Sequence, residues 1–377
     1  MIKNKILFNN PTTVSNEIRN ISKLNYFSSN GKYSKRCSGW LKKNIKCKEA
    51  LLVNSCTAAL EMSAILINIK PKDEIIMPSF TFVSTANAFV LHGGVPVFVD
   101  IDPGTLNINP KNIIRAITKK TKAIVIVHYA GISCDIDPII KIAKKYKLII
   151  IEDAAQAILS KYKNRPLGSI GDLATLSFHE TKNIHCGEGG ALLINNPKFI
   201  KRAKVIRDKG TNRDLFNQNM VKKYTWIDYG SSYGLSEINA AFLYSQLKQA
   251  KKINEKRIGL FNQYHKILNE LEIRNLIKRP TVPKYAKHNG HIYYIILKSN
   301  RDKLIKFLKK RGINSVFHYI PLHSSPFGKG KTNTKLSMKN TNNAGRRLLR
   351  LPIHTNIKAS HIERIGETIS DFFNVKN

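Results

Sequence analysis

Lys182 stands in the run Ser177-Phe178-His179-Glu180-Thr181-Lys182-Asn183, and 29 positions upstream Asp153 closes the apolar run Lys147-Leu148-Ile149-Ile150-Ile151-Glu152-Asp153. A lysine amine can condense with an aldehyde, and a carboxylate can hold a ring nitrogen protonated. Those are the two protein groups that pyridoxal 5'-phosphate chemistry most needs. Neither residue decides the matter alone. With 63 lysines and arginines in 377 residues, most cations of this chain are solvated surface groups. Asp153 could equally cap a helix opening at Ala154-Ala155-Gln156.

The same chemistry needs a phosphate cradle and a flat apolar cover for the ring. Asn54-Ser55-Cys56-Thr57-Ala58-Ala59-Leu60 follows the strand-like Leu51-Leu52-Val53 and opens an alanine-rich helical stretch through Met62. Its first N–H groups would face an anion, although the segment also reads as an ordinary capped helix. After strand Glu74–Met77 comes Pro78-Ser79-Phe80-Thr81-Phe82, where one phenyl should turn to the core and the other is free to face a ring. Ser177 could donate to a phosphate or simply close a turn.

The elements that must position these groups are short apolar strands alternating with helical stretches: Glu74–Met77, Val95–Asp100, Ala123–His128, Leu148–Asp153, Leu173–Phe178 and Ala191–Ile194. That alternation predicts an α/β fold with a mostly parallel sheet covered on both faces. In such sheets functional groups gather at the carboxyl ends of the strands. A helical stretch from Ser236 to about Leu271 leads to a smaller unit: strand His291–Leu297, helix Lys303–Arg311, a strand near Ser315–Tyr319, a polar loop Ser324–Asn342 with a mobile piece from Gly328, and a closing helix Lys358–Phe373. The expected division is a large domain, 1–250, and a small C-terminal α/β domain, 251–377.

Composition narrows the class further. Apolar residues make up 42% of the chain, enough for real cores at this length. No apolar run approaches the ~20 residues of a membrane helix. The basic N-terminus lacks an apolar stretch of signal-peptide length, so the expected compartment is the cytoplasm. Five cysteines without CxxC spacing read as free thiols, with neither disulfides nor a zinc site. The net charge of +38 raises nucleic acid as a partner, but the cations are mostly lysines dispersed along the chain and no nucleic-acid motif accompanies them. Enrichment in Lys, Ile and Asn points instead to compositional drift toward AT-rich codons.

Taken together, Asn54–Leu60, Lys72–Asn87, Gly94–Asp100, Thr121–Gly131, Ile151–Ala157, Gly168–Gly190, Asp208–Arg213, Tyr224–Ala241, Val316–Pro326 and Leu348–His354 resemble the DegT/DnrJ/EryC1/StrS family of sugar aminotransferases. The resemblance implies a fold-type I homodimer that uses pyridoxal 5'-phosphate, L-glutamate and a keto-sugar nucleotide, with dTDP-4-dehydro-6-deoxy-D-glucose the expected acceptor. It implies Lys182 as the imine-forming lysine and proton shuttle, and Asp153 as partner of the ring nitrogen. It places Gln156 beside the ring hydroxyl, Phe82 over the ring, and Cys56, Thr57 and Ser177 on the phosphate. His318 and Tyr319 would line the sugar side from the second domain. Ser232, where many members have Asn, would reach the phosphate across the dimer. Gly234 stands where many members have Arg, which leaves the donor's carboxylate without an expected partner.

Overall fold

In the computed structural model, which describes residues 5–333 and 336–374, seven strands form one sheet. They are β1 (Glu49–Val53), β2 (Glu74–Pro78), β3 (Val95–Val99), β4 (Thr121–Val127), β5 (Ile149–Asp153), β6 (Leu173–Ser177) and β7 (Gly190–Ile194), in the spatial order β1-β7-β6-β5-β4-β2-β3. From β3 across to β6 every neighbour is parallel. β7 runs against both β6 and β1. The reversal has a local cause: a parallel return needs a crossover, usually a helix, and residues 178–189 contain none.

Strand composition follows from coverage on both faces. Ile124, Ile126 and Ile150 enter one core, while Ala123, Val125 and Ile151 enter the other. Period-2 alternation thus distributes β-branched residues to both sides, and each fully buried Ile or Val contributes roughly 1.5–3 kcal/mol relative to exposure.

A second sheet holds β8 (Ile277–Lys278), β9 (Tyr293–Leu297) and β10 (Leu348–Leu351), all antiparallel and in that order. Its core joins Ile295, Leu297 and Leu349 to Leu304 and Leu308 of helix Arg301–Lys310 and to Ile362, Ile365 and Ile369 of helix Ala359–Phe372. The 31-residue helix Glu237–Ile267 links the two units. Its Leu243 and Leu247 pack in the first core, its Leu260, Phe261 and Tyr264 in the second. Position 250 lies within this helix, so the two cores are joined by a rigid element.

Two local expectations fail. The stretch near Ser315–Tyr319 is not a strand; it keeps a single bridge, Val316 to Arg350, and Tyr319 turns into the left-handed region at φ 43°. The polar stretch Ser324–Asn342 carries one short helix, Pro326–Lys331, and the start of another, Lys339–Arg347, with Thr334 and Lys335 outside the described residues. Ser325 supplies the start: its hydroxyl accepts from the Gly328 N–H at 3.1 Å, and Pro326 fits the first helical position. No helix among the described residues is long and apolar enough to cross a membrane.

Candidate active site

Strands β1, β2, β4, β5 and β6 all end at the edge of the large sheet where β7 begins, since Gly190 pairs with both Val53 and Ser177. A cavity of about 350 Å³ opens on this edge, and Lys182, Asp153, Cys56, Thr57, Phe82 and Ser177 all line it.

Asp153 is buried, and its oxygens accept from the Thr85 hydroxyl at 2.8 Å and the Ala155 N–H at 3.2 Å. Burial lifts its carboxyl above the ordinary value; the two donors and the charge of Lys182 pull in the opposite direction. The residue therefore caps the turn after β5 and presents a carboxylate to the cavity at once. Its neighbour Glu152 turns away, to His128 at 3.0 Å and the N–H groups of Gly168, Ile170 and Gly171. That fully buried cluster ties the turn before β6 to β5. Burial pushes the Glu152 carboxyl up, but His128 and these amides outweigh it and hold it low.

Lys182 has its amine lowered by burial, drawn partly back by Cys56 and Asp153, and lowered again by Arg350. A lowered amine pKa enlarges the neutral, nucleophilic fraction that imine chemistry requires. The adjoining Asn183 is pinned: its amide nitrogen donates to Asn254 and to the Asn289 carbonyl at 2.9 Å each, and His291 bonds its oxygen at 2.9 Å. Lys182 is thus held from a rigid backbone.

The cradle begins with Ser55, extended at φ −162°, whose hydroxyl accepts from the Ala58 N–H at 3.0 Å. The first-turn N–H groups of Cys56 and Thr57 have no acceptor within the helix Cys56–Leu66. Gly190 lets this turn approach: a Cβ there would lie 2.4–2.6 Å from backbone atoms of Ser55 and Cys56. Burial pushes the Cys56 thiol up to about 12, reinforced by Asp153. Of the two phenyls, Phe80 is buried against Tyr129, while Phe82 remains 57% exposed at the cavity.

Gln156 spans two elements, accepting from the Ala130 N–H at 2.7 Å and donating to the Tyr319 hydroxyl at 2.9 Å. His318 bonds the Tyr129 hydroxyl at 2.7 Å and stacks on Tyr319, with ring centroids 3.6 Å apart; both line the cavity from the side of the small sheet. Ser232 is exposed and does not line the cavity of its own chain. It sits beside the cradle nonetheless, where Asn54 bonds the Ser232 and Tyr233 carbonyls. Gly234 has Ser29 2.6 Å from where a Cβ would stand, so an Arg could enter only if Ser29 moved. Sequence reasoning missed Thr85, Arg257, His291 and Arg350, all of which line the cavity.

A lysine held with a depressed amine, a buried carboxylate and an open helix N-terminus around one cavity define the chemistry of the site. The sequence model of the DegT/DnrJ/EryC1/StrS aminotransferase family matches residues 11–370. The chain belongs to this family. Family relatives include the uncharacterized protein MJ1066 of Methanocaldococcus jannaschii, 42% identical over 293 residues, which are 75% of each chain. Among solved structures, PseC of Helicobacter pylori, an aminotransferase involved in the biosynthesis of pseudoaminic acid, superimposes with a TM-score of 0.90 at 26% identity, covering 98% of this chain and 100% of its own. NtdA of Bacillus subtilis, solved with bound cofactor PMP, gives 0.86 at 28% identity over 96% of this chain and 83% of its own.

Proposed function

We propose that the protein transfers the amino group of L-glutamate to C4 of dTDP-4-dehydro-6-deoxy-D-glucose, giving dTDP-4-amino-4,6-dideoxy-D-galactose and 2-oxoglutarate, with pyridoxal 5'-phosphate as cofactor. The observation that carries it is the convergence of Lys182 and Asp153 on one cavity beside the Ser55–Thr57 turn. These residues suit the cofactor chemically. The free N–H groups of Cys56 and Thr57, with Ser177, would hold the phosphate, Asp153 the ring nitrogen, and Phe82 the ring face. When bound, the cofactor supplies an aldehyde that captures the amine and a ring that withdraws electrons from the adjoining carbon. Lys182 Nζ carries the proton in both halves of a ping-pong sequence, donor first and acceptor second. Gln156 would sit beside the ring hydroxyl.

The acceptor assignment is supported by Ser177–Gly190, Asp208–Arg213 and Tyr224–Tyr233, which resemble the dTDP-4-amino-4,6-dideoxygalactose transaminase of enterobacterial common antigen synthesis. The test offers the purified protein glutamate together with a panel of dTDP- and UDP-linked keto sugars and identifies products by mass spectrometry. Amination confined to a UDP sugar would move the assignment to another nucleotide sugar. An absence of cofactor absorbance, with salt-sensitive retention on DNA, would favour the nucleic-acid reading.

His318 and Tyr319 bound the sugar side in this reading. His318→Ala should raise the acceptor KM by about tenfold while the glutamate half-reaction keeps its rate. Equal loss in both halves would reduce His318 to a support for Tyr129.

The reading also requires a homodimer in which the Tyr229–Tyr233 loop closes the partner's phosphate site. Supporting it, Trp226 just before that loop and Tyr229 at its start are 77% and 75% exposed, an apolar surface that association would cover. Mixing Lys182→Ala subunits with Ser232→Trp subunits should restore activity, because one of the two sites in each heterodimer then has both parts intact. Proven subunit exchange with no recovery would mean that each site is built from one chain.

A further inference from the structure

We infer that Arg350 is the docking group for the α-carboxylate of the amino donor. The inference rests on the α-amino-acid donor proposed above and supplies the cation that Gly234 does not.

Arg350 lies in β10 between Leu349 and Leu351, both buried in the core of the small sheet. Alternation along the strand turns its side chain to the opposite face, and it lines the cavity with Lys182, Asp153 and Tyr319. Its Nε is enclosed without a hydrogen-bond partner. No carboxylate among the described residues forms an ion pair with it, burial lowers its pKa, and the Phe8 ring lies 4.8 Å from its guanidinium carbon. Native interiors rarely leave a charged donor unmade without a functional reason. Arg257 is the contrasting case. It lines the same cavity, but its Nε and Nη2 are spent on the carbonyls of Gly290 at 3.1 Å and His291 at 2.7 Å, so it braces the backbone.

Three kinds of anion enter this site, and position separates them. The cofactor phosphate has its own donors at the Ser55–Thr57 turn. The diphosphate of a nucleotide sugar is attached at C1, across the sugar ring from the carbon that receives nitrogen. The donor's α-carboxylate is bonded to the very carbon that carries the reacting amine. Arg350 lines the same cavity as Lys182, the amine beside which that carbon must sit. A planar guanidinium with an unpartnered Nε in that cavity can match a carboxylate through two parallel hydrogen bonds.

The test uses the cofactor-loaded enzyme and follows the glutamate half-reaction by the cofactor's visible absorbance. Arg350→Met should raise the half-saturating glutamate concentration on the order of 100-fold, while the half-saturating concentration of the keto-sugar nucleotide changes far less. Arg350→Lys, which keeps the charge and loses the fork, should fall between. Calorimetry with unreactive ligands gives a reading independent of turnover. L-2-hydroxyglutarate should bind wild type far better than 4-hydroxybutyrate, which lacks the α-carboxylate, and Arg350→Met should erase that difference. Unaltered cofactor absorbance and melting temperature would show that the variants are folded; if the Met variant is not, the Lys variant carries the comparison. Undiminished glutamate saturation and hydroxyglutarate binding in the variants would overturn the inference, as would a loss confined to the keto-sugar nucleotide. A wild-type enzyme that fails to react with glutamate at all would instead strike the donor assignment.

Discussion

Lys182→Ala protein should bind pyridoxamine phosphate and yet lose at least on the order of 10⁴-fold in steady-state transamination. The substitution removes both the amine that captures the cofactor and the base that moves the proton. It leaves the Ser55–Thr57 cradle untouched, and Asn183 keeps the segment around position 182 anchored to Asn254, Asn289 and His291. Cofactor affinity measured by fluorescence quenching and turnover measured by coupled assay separate the two contributions. Even modest residual turnover would remove Lys182 from the mechanism.

Asp153→Asn is expected to lower kcat by roughly 10²–10³-fold with little change in either KM, because the shape persists while the charge that keeps the ring nitrogen protonated is lost. Melting temperatures add a check whose sign follows from the carboxyl itself. Burial raises its pKa, so in cofactor-free protein its ionisation opposes folding once the pH exceeds the ordinary carboxylate range. Below that range the effect vanishes. Neutralising Asp153 should therefore leave the cofactor-free protein at neutral pH as stable as wild type or more so, and destabilise only the loaded form. An equal drop in both forms, with kcat unchanged, would make Asp153 no more than the cap of the Ala155 turn.

Much of this was legible along the chain because the informative signals were local. The apolar run ending at Asp153, the small residues of Asn54–Ala59 and the alternation of strands and helices each depend on residues close in sequence. What could not be read depended on pairing between distant segments. Arg350 in Leu348-Leu349-Arg350-Leu351 looks like one more cation among 63; only the pairing of β9 with β10 shows which face it takes. Thr85 reads as an ordinary helical threonine until the fold brings it to Asp153, 68 positions away. The reversed β7 carries the same apolar composition as a parallel strand, and only the helix-free link from β6 gives its direction away. Composition misled at Ser324–Asn342, where glycine and lysine suggested a loop. Ser325 starts a helix there, and Gly328 is required because a Cβ would strike the Leu322 carbonyl.

The Cys56 thiol at the mouth of the cradle bears on how this enzyme meets oxidants. A thiol whose pKa has been pushed up to about 12 holds a vanishing fraction of thiolate at neutral pH. Peroxides and alkylating reagents attack the thiolate, so Cys56, half-buried beside the Ser55–Thr57 turn, should react slowly at neutral pH. The cradle can therefore carry sulfur without becoming a redox switch, and inactivation by thiol reagents, where it occurs, should be slow and should accelerate steeply with alkaline pH.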